Sequence, residues 1–177
     1  MADKVRVFIG IGSNIDKQIH IPQVIDELAA EFGNILVSPI YQTSAEGFAG
    51  DDFYNLVVGV DTDISPYQMR QYLRELEASH DRVRNSKNQF ISRTLDLDQL
   101  MYGTMQINQD GVHVPSSDIT NYAFVLKPLV DIAGDVIHPT LRRSLNNIWQ
   151  RFDKSDLQMQ QVQLTDQSIK SKISGSK

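Results

Sequence analysis

The stretch "RTLDLDQLMYG", residues 93–103, alternates apolar and polar side chains, which is the period of a half-buried strand. Side chains along a strand point to opposite faces in turn. Thr94, Asp96, Asp98 and Leu100 therefore share one face, and Leu95, Leu97, Gln99 and Met101 share the other. The segment closes a longer order. "VRVFIGIG" (5–12) reads as a buried strand running into a glycine turn. In "IPQVIDELAAEFGN" (21–34), Ile21, Val24, Ile25, Leu28 and Phe32 recur at helical spacing, and Gly33 is a stop signal. "ILVSPIYQT" (35–43) is a second strand, interrupted or edged by Pro39. A glycine-containing loop (45–52) leads to a third strand, "FYNLVVGVDTD" (53–63). Ser65, Pro66 and Gln68 then form the capping signature of a helix that runs to about residue 80, with Met69, Tyr72, Leu73 and Leu76 inward. Residues 81–92 follow neither period and read as a loop. The order β-α-β-β-α-β predicts an α+β fold of the ferredoxin-like, split βαβ kind, a mainly antiparallel sheet flanked by helices.

Downstream, "GTMQIN" (103–108) predicts a hairpin turn into a short partner strand, and "VHVP" (112–115) another short strand. "DITNYAFVLKPLVDIAG" (118–134) reads as short helical pieces around Pro128. "LRRSLNNIWQRF" (141–152) reads as an amphipathic helix with Leu141, Leu145, Ile148, Trp149 and Phe152 inward. Residues 1–155 are expected to form one domain. Residues 156–177 form a polar extension, an edge strand followed by a flexible tail.

The chain has 177 residues, 41% of them hydrophobic and 22% charged, which suits one soluble domain with a real core. No apolar run approaches the roughly 18 residues of a membrane helix, so no membrane partner is expected. The absence of cysteine excludes disulfides and thiolate metal sites, and with no secretory signal the expected location is cytoplasmic. A formal net charge of −5 argues against nonspecific nucleic-acid binding.

The strand at 93–103 carries the chemistry. The alpha carbons of Asp96 and Asp98 lie roughly 6.5 Å apart along one face, so their carboxylates can converge on one cation. Hard oxygen ligands without His or Cys favour Mg²⁺. The preceding loop places Arg82, Arg84, Lys87 and Arg93 within 12 residues and no acid among them. Arginine forks match phosphate oxygens. Two metal-binding carboxylates beside a basic loop suit phosphoryl transfer. The same residues also read as a solvated acidic face and an exposed basic loop.

With these segments in this order, the chain resembles the 6-hydroxymethyl-7,8-dihydropterin pyrophosphokinase family. The resemblance runs from about Val5 to Phe152 and includes "IGIGSN", "YQT", "FYN", "LEASHDRVR", "RTLDLDQLMYG", "VHVP" and "AFVLKPLVDIA". It implies transfer of the terminal diphosphate of ATP, the co-substrate, to the pterin hydroxymethyl group, leaving AMP. It also implies that Asp96 and Asp98 hold two Mg²⁺ ions and that Arg82 and Arg93 contact the phosphates during transfer. Arg84 would assist from the loop and Glu77 would belong to the ATP site. Thr43 and Asn55 would hydrogen-bond the pterin, with Phe53 and Phe124 on its two faces. The loops near 45–52 and 84–92 would close over the substrates. The expected partners are small molecules only, and the expected state is a monomer.

The sequence departs from the family pattern in several places. On the pterin side, Ser44 and Glu46 stand where a proline and an apolar residue are common. At the ATP site, Ser116 and Ser117 replace a histidine and, often, an aromatic, and Tyr122 replaces a frequent arginine. Ile91 and Ser92 replace a Gly-Pro pair, and Phe90 is a candidate for the loop aromatic. These departures keep open a second reading, a pterin-binding protein on the same fold with weakened catalysis. A third is an RNA-binding domain, which the acidic charge opposes. "GIGSN" resembles a phosphate-binding loop but lacks the third glycine and the lysine, so a tight turn is expected. His20, His80, His113 and His138 show no metal-ligand spacing and read as structural or surface residues.

Overall fold

The structure, a computed structural model, describes residues 3–44, 50–80, 94–155 and 157–164. β1 (Val5–Ser13) leads into α1 (Lys17–Phe32), then β2 (Leu36–Val37) and β3 (Ile40–Thr43), separated at Ser38 and Pro39. β4 (Phe53–Thr62) and α2 (Pro66–Ser79) follow, and β5 (Asp96–Tyr102) completes the split βαβ order. Next come β6 (Ile107–Gln109), β7 (Val112–Val114), α3 (Asp118–Asn121) and α4 (Ala123–Ala133). β8 (Ile137–His138), β9 (Arg143–Ser144), α5 (Leu145–Arg151) and β10 (Met159–Val162) end the described chain.

The main sheet has the order β10-β3-β4-β1-β5, with β2 also paired to β4. Every pairing is antiparallel. β1 and β4 lie inside the sheet and are covered on both faces, which explains their long apolar runs. On one face Val7, Ile9 and Ile11 of β1 and Leu56, Val58 and Val60 of β4 join the buried stripes of α1 and α2. On the other, Phe8, Val57, Leu100 and Met101 meet Ile119, Leu126, Leu129 and Leu145. The capping box predicted for α2 is present. Ser65 Oγ accepts from Gln68 N at 3.3 Å, and Gln68 Oε1 accepts from Ser65 N at 2.8 Å.

Several local expectations change. The strand at 93–103 starts at Asp96, and it does not alternate to its end. Phe8 pairs with Met101 and Ile9 with Gln99, so Leu100 is an extra residue in a β-bulge. Leu100 and Met101 therefore enter the same core, and Tyr102 returns to the α1–α2 side. α1 begins four residues before Ile21. Asp16 O accepts from Ile19 N and His20 N, and the helix holds Pro22 in its interior. The short strand β6 pairs with β7, not with β5. α4 continues through Pro128 because Leu126, Leu129 and Ala133 are buried along one side. α5 starts at Leu145, where Ser144 Oγ accepts from Asn147 N at 3.2 Å. Leu141 lies outside the helix and is 44% exposed, so it is not a core residue.

Gln99 faces the α1–α2 core opposite Ile9, and both its amide atoms are buried with no hydrogen-bond partner among the described residues. A buried, unpaired amide costs about 1–3 kcal/mol. Gln99→Met keeps the volume and removes the polar atoms. It is expected to stabilise the fold by about 1–2 kcal/mol in urea unfolding; a loss of stability would show that Gln99 has a partner in solution.

Candidate active site

Register decides which side chains meet. Gly12 of β1 lies opposite Asn55 on β4 and opposite Asp96 on β5. The three form one row across the sheet, on the face turned toward α4. Gly10 lies opposite Asp98 in the next row. Two positions along β4 from Asn55, Phe53 pairs with Thr43 and faces the same way. Thr43, Phe53, Asn55, Asp96 and Asp98 thus share one face of the sheet.

Glycine keeps the floor of this row open. A Cβ on Gly12 would lie 3.5 Å from Asn55 Oδ1 and 3.9 Å from the Cβ of Asp96. Any side chain there would fill the space between the amide and the carboxylate. Asn55 is buried, and its Nδ2 donates to Thr43 Oγ1 at 3.0 Å and to Tyr41 O at 3.5 Å. Those bonds turn its Oδ1 toward Gly12. In the same row, Tyr41 of β3 lies opposite Asn55 and donates to Asp131 Oδ2 of α4 at 2.5 Å. Burial, and then the Asp131 carboxylate, raise the Tyr41 hydroxyl above its usual range.

β5 is held from three directions. Glu77 of α2 is 2% exposed, and its Oε1 accepts from Leu97 N at 2.8 Å, the amide between the two aspartates. Ser116 N donates to Leu100 O at 2.8 Å. Ser13 donates through Oγ to Thr94 O, and the neighbouring Asn14 donates to Asp51 O at 3.3 Å. "GIGSN" is therefore not the expected tight turn: Gly10–Ser13 are the paired end of β1, because both glycines lie in the ladder between β4 and β5, and the buried polar side chains of Ser13 and Asn14 tie this end to the segments that precede β5 and β4. Its Ser13 and Asn14 were not among the sequence candidates, because their contacts lie 81 and 37 residues away.

Asp118 was also missed. It opens α3, is partly shielded from solvent, and has its N–H bonded to Ser116 Oγ at 3.2 Å. Burial, and then the charge of Asp96, raise its carboxyl above the usual carboxylate range. Phe124 lies in the first turn of α4 and stacks on Tyr122, with ring centroids 5.1 Å apart. Ser44 is exposed just after β3. Arg82, Arg84 and Arg93, with Glu46, Lys87, Phe90, Ile91 and Ser92, lie outside the described residues.

Asp96 and Asp98 offer hard oxygen donors only. Among the described residues no group of three or more His, Asp or Glu side chains is placed to hold a metal. Mg²⁺ in phosphoryl-transfer sites takes one or two carboxylates and completes its shell with water and phosphate oxygens, so this donor pair fits it.

The family model for 7,8-dihydro-6-hydroxymethylpterin-pyrophosphokinase matches residues 8–134. A 2-amino-4-hydroxy-6-hydroxymethyldihydropteridine pyrophosphokinase of Methylorubrum extorquens is 33% identical over 136 residues, 75% of this chain and 85% of that protein. The Folic acid synthesis protein fol1 of Pneumocystis carinii is 30% identical over 158 residues, 88% of this chain. This chain spans only 21% of that longer relative. In fold it is similar to the crystal structure of Plasmodium falciparum HPPK-DHPS wild type, with a TM-score of 0.63 at 12% identity over 85% of this chain and 45% of that one.

A raised carboxyl weakens the folded state once it ionises. The Asp118 penalty is absent below the ordinary value of 3.8, grows as pH rises from there to the raised value, and is complete above it. Asp118→Asn is expected to raise the melting temperature at pH 7 and to leave it unchanged below pH 3.8. An equal shift at both pH values would contradict this cause.

Proposed function

The chain belongs to the 7,8-dihydro-6-hydroxymethylpterin-pyrophosphokinase family, and from that premise we propose that it transfers diphosphate from ATP to the hydroxyl of 6-hydroxymethyl-7,8-dihydropterin in folate synthesis. The hydroxyl oxygen attacks the β-phosphorus and its proton is released to solvent, the bond from that phosphorus to the α,β-bridging oxygen breaks, and AMP leaves with that oxygen. Catalysis of this kind is mainly positioning and charge neutralisation. Asp96 and Asp98 would hold Mg²⁺, two ions in our reading, which would neutralise phosphate charge. Thr43 and Asn55 orient the pterin edge, with Ser44 beside them. Phe53 and Phe124 supply aromatic faces for its flat ring. Arg82 and Arg93 stabilise the charge of the transferring group, and Arg84 reaches the nucleotide from the same loop. Glu77 acts on the nucleotide side by fixing β5 through the Leu97 amide. The protein works on small molecules as a cytoplasmic monomer. Among the described residues no helix is long and apolar enough to cross a membrane.

The observation that supports this most is the β4–β1–β5 register, which sets Asn55 and both aspartates on one face across bare glycine. A weaker-enzyme reading draws on the nucleotide side. Ser116 spends its hydroxyl on the Asp118 amide, and Tyr122 stacks on Phe124. Neither brings a positive charge to ATP. Calorimetry separates the two readings: an enzyme binds both the pterin and a nonhydrolysable ATP analogue, whereas a weakened relative binds the pterin alone.

Asp96→Ala and Asp98→Ala are each expected to reduce AMP formation at least a thousandfold, about 4 kcal/mol of transition-state stabilisation. A folded Asp96→Ala protein with near wild-type turnover would refute the metal assignment. Arg82→Ala is expected to slow turnover while pterin affinity stays within about twofold; lost pterin affinity at unchanged rate would move Arg82 out of the transfer step.

A further inference from the structure

α2 ends in an unusual way. α1 is closed by Gly33 at φ 81, but α2 has no glycine at its end. Its last residue is followed by His80, at φ −98 and ψ 29, whose N–H bonds back to Glu77 O at 3.2 Å. The His80 ring is only 4% exposed. A buried imidazole needs partners for both nitrogens, and α1 supplies both. His80 Nε2 lies 2.7 Å from Glu27 Oε2, and His80 Nδ1 lies 2.8 Å from His20 Nδ1. The two rings meet edge to face, with centroids 5.0 Å apart.

The proton arrangement follows from the partners. The Glu27 carboxylate accepts, so His80 Nε2 donates. Two Nδ1 atoms at 2.8 Å must share one proton, so one ring donates and the other accepts. His20 and Glu27 are seven residues apart, two turns on one side of α1, and His80 sits between them. The chain Glu27–His80–His20 therefore ties the end of α2 to α1 at two points.

The same turn carries a second tie. Glu77, three residues before His80, holds the Leu97 amide between Asp96 and Asp98. One turn of helix is thus fixed to α1 by His80 and to the acidic strand by Glu77. We propose that Glu27, His80 and His20 form a hydrogen-bonded clamp that sets the end of α2, and with it Glu77 and the Leu97 amide it holds, so that Asp96 and Asp98 are positioned for transfer. This makes His80 and His20 positioning residues for the diphosphate transfer, and it rests on the function proposed above.

The test compares full-length wild type with His80→Phe, which keeps a ring and loses both bonds, and His80→Gln. A Gln amide offers one donor and one acceptor about as far apart as the two ring nitrogens. The expected result is at least a tenfold loss of kcat in His80→Phe, with the pterin dissociation constant within twofold, and recovery to within threefold of wild type in His80→Gln. If His80→Phe does not fold, His20→Ala on the half-buried α1 side is expected to show the same split. Amide exchange gives a readout free of turnover: in His20→Ala the His80 amide is expected to exchange at least tenfold faster, with β1 amides unchanged. Wild-type kcat in a folded His80→Phe or His20→Ala would overturn the clamp, as would an equal defect in His80→Gln or unchanged exchange at His80. If wild type forms no AMP, the proposed function falls, and the exchange result alone then decides whether the clamp exists.

Discussion

β1 pairs with β5 so that Gly12 lies opposite Asp96 and Gly10 opposite Asp98. The rest of the site depends on that register. A one-residue slip would turn both carboxylates into the core beside Ile9 and Ile11 and bring Leu97 out to the site. Burying two carboxyl groups in that core without partners costs on the order of several kcal/mol each, a large part of a domain's stability margin. Leu95 and Leu97, both nearly inaccessible in the α1–α2 core, hold the register from behind, and Glu77 holds it from the edge. The hydrophobic pattern that folds the sheet is therefore also what aims the acids.

The two faces of the sheet divide the work. The α1–α2 face is apolar and fixes strand positions. The α4 face is apolar only at its far end, where Phe8, Leu100 and Met101 pack against α4. Toward the other end it becomes glycine, amide and carboxylate. The β-bulge at Leu100 marks this change, because it sends two successive side chains into the second core just after Asp98. At the polar end of the sheet Ser13 donates to Thr94 O and Asn14 to Asp51 O, which ties the described segments just before β5 and β4 to the end of β1.

Local patterns in the sequence were enough for the order of elements, the α2 capping box, the break at Pro39 and the pair of acids on one face. Each depends on residues within a few positions of one another. Leu141 was misplaced because helical spacing does not register the turn at Arg142, with φ 55, that delays α5 to Leu145. The bulge was invisible because an extra residue in β5 shows only against its partner β1. Ser13 and the His20–His80 pair carry no local signal, since the contacts that matter come from distant parts of the chain, 81 residues away for Ser13 and 60 for the two histidines, and Asp118 shows its role only beside Asp96 of β5. The family resemblance reached Thr43, Phe53 and Asn55, and the register then placed them on the face of the two aspartates.

The central claim is that the row built around Asp96 and Asp98 directs attack at the β-phosphorus of ATP. Phosphorus NMR of the wild-type protein with ATP, 6-hydroxymethyl-7,8-dihydropterin and Mg²⁺ reads the bond that breaks. AMP and a pterin diphosphate are expected to appear together in equal amounts, and both to vanish when Mg²⁺ is chelated. Formation of ADP with a pterin monophosphate, or of AMP without the pterin, would contradict it.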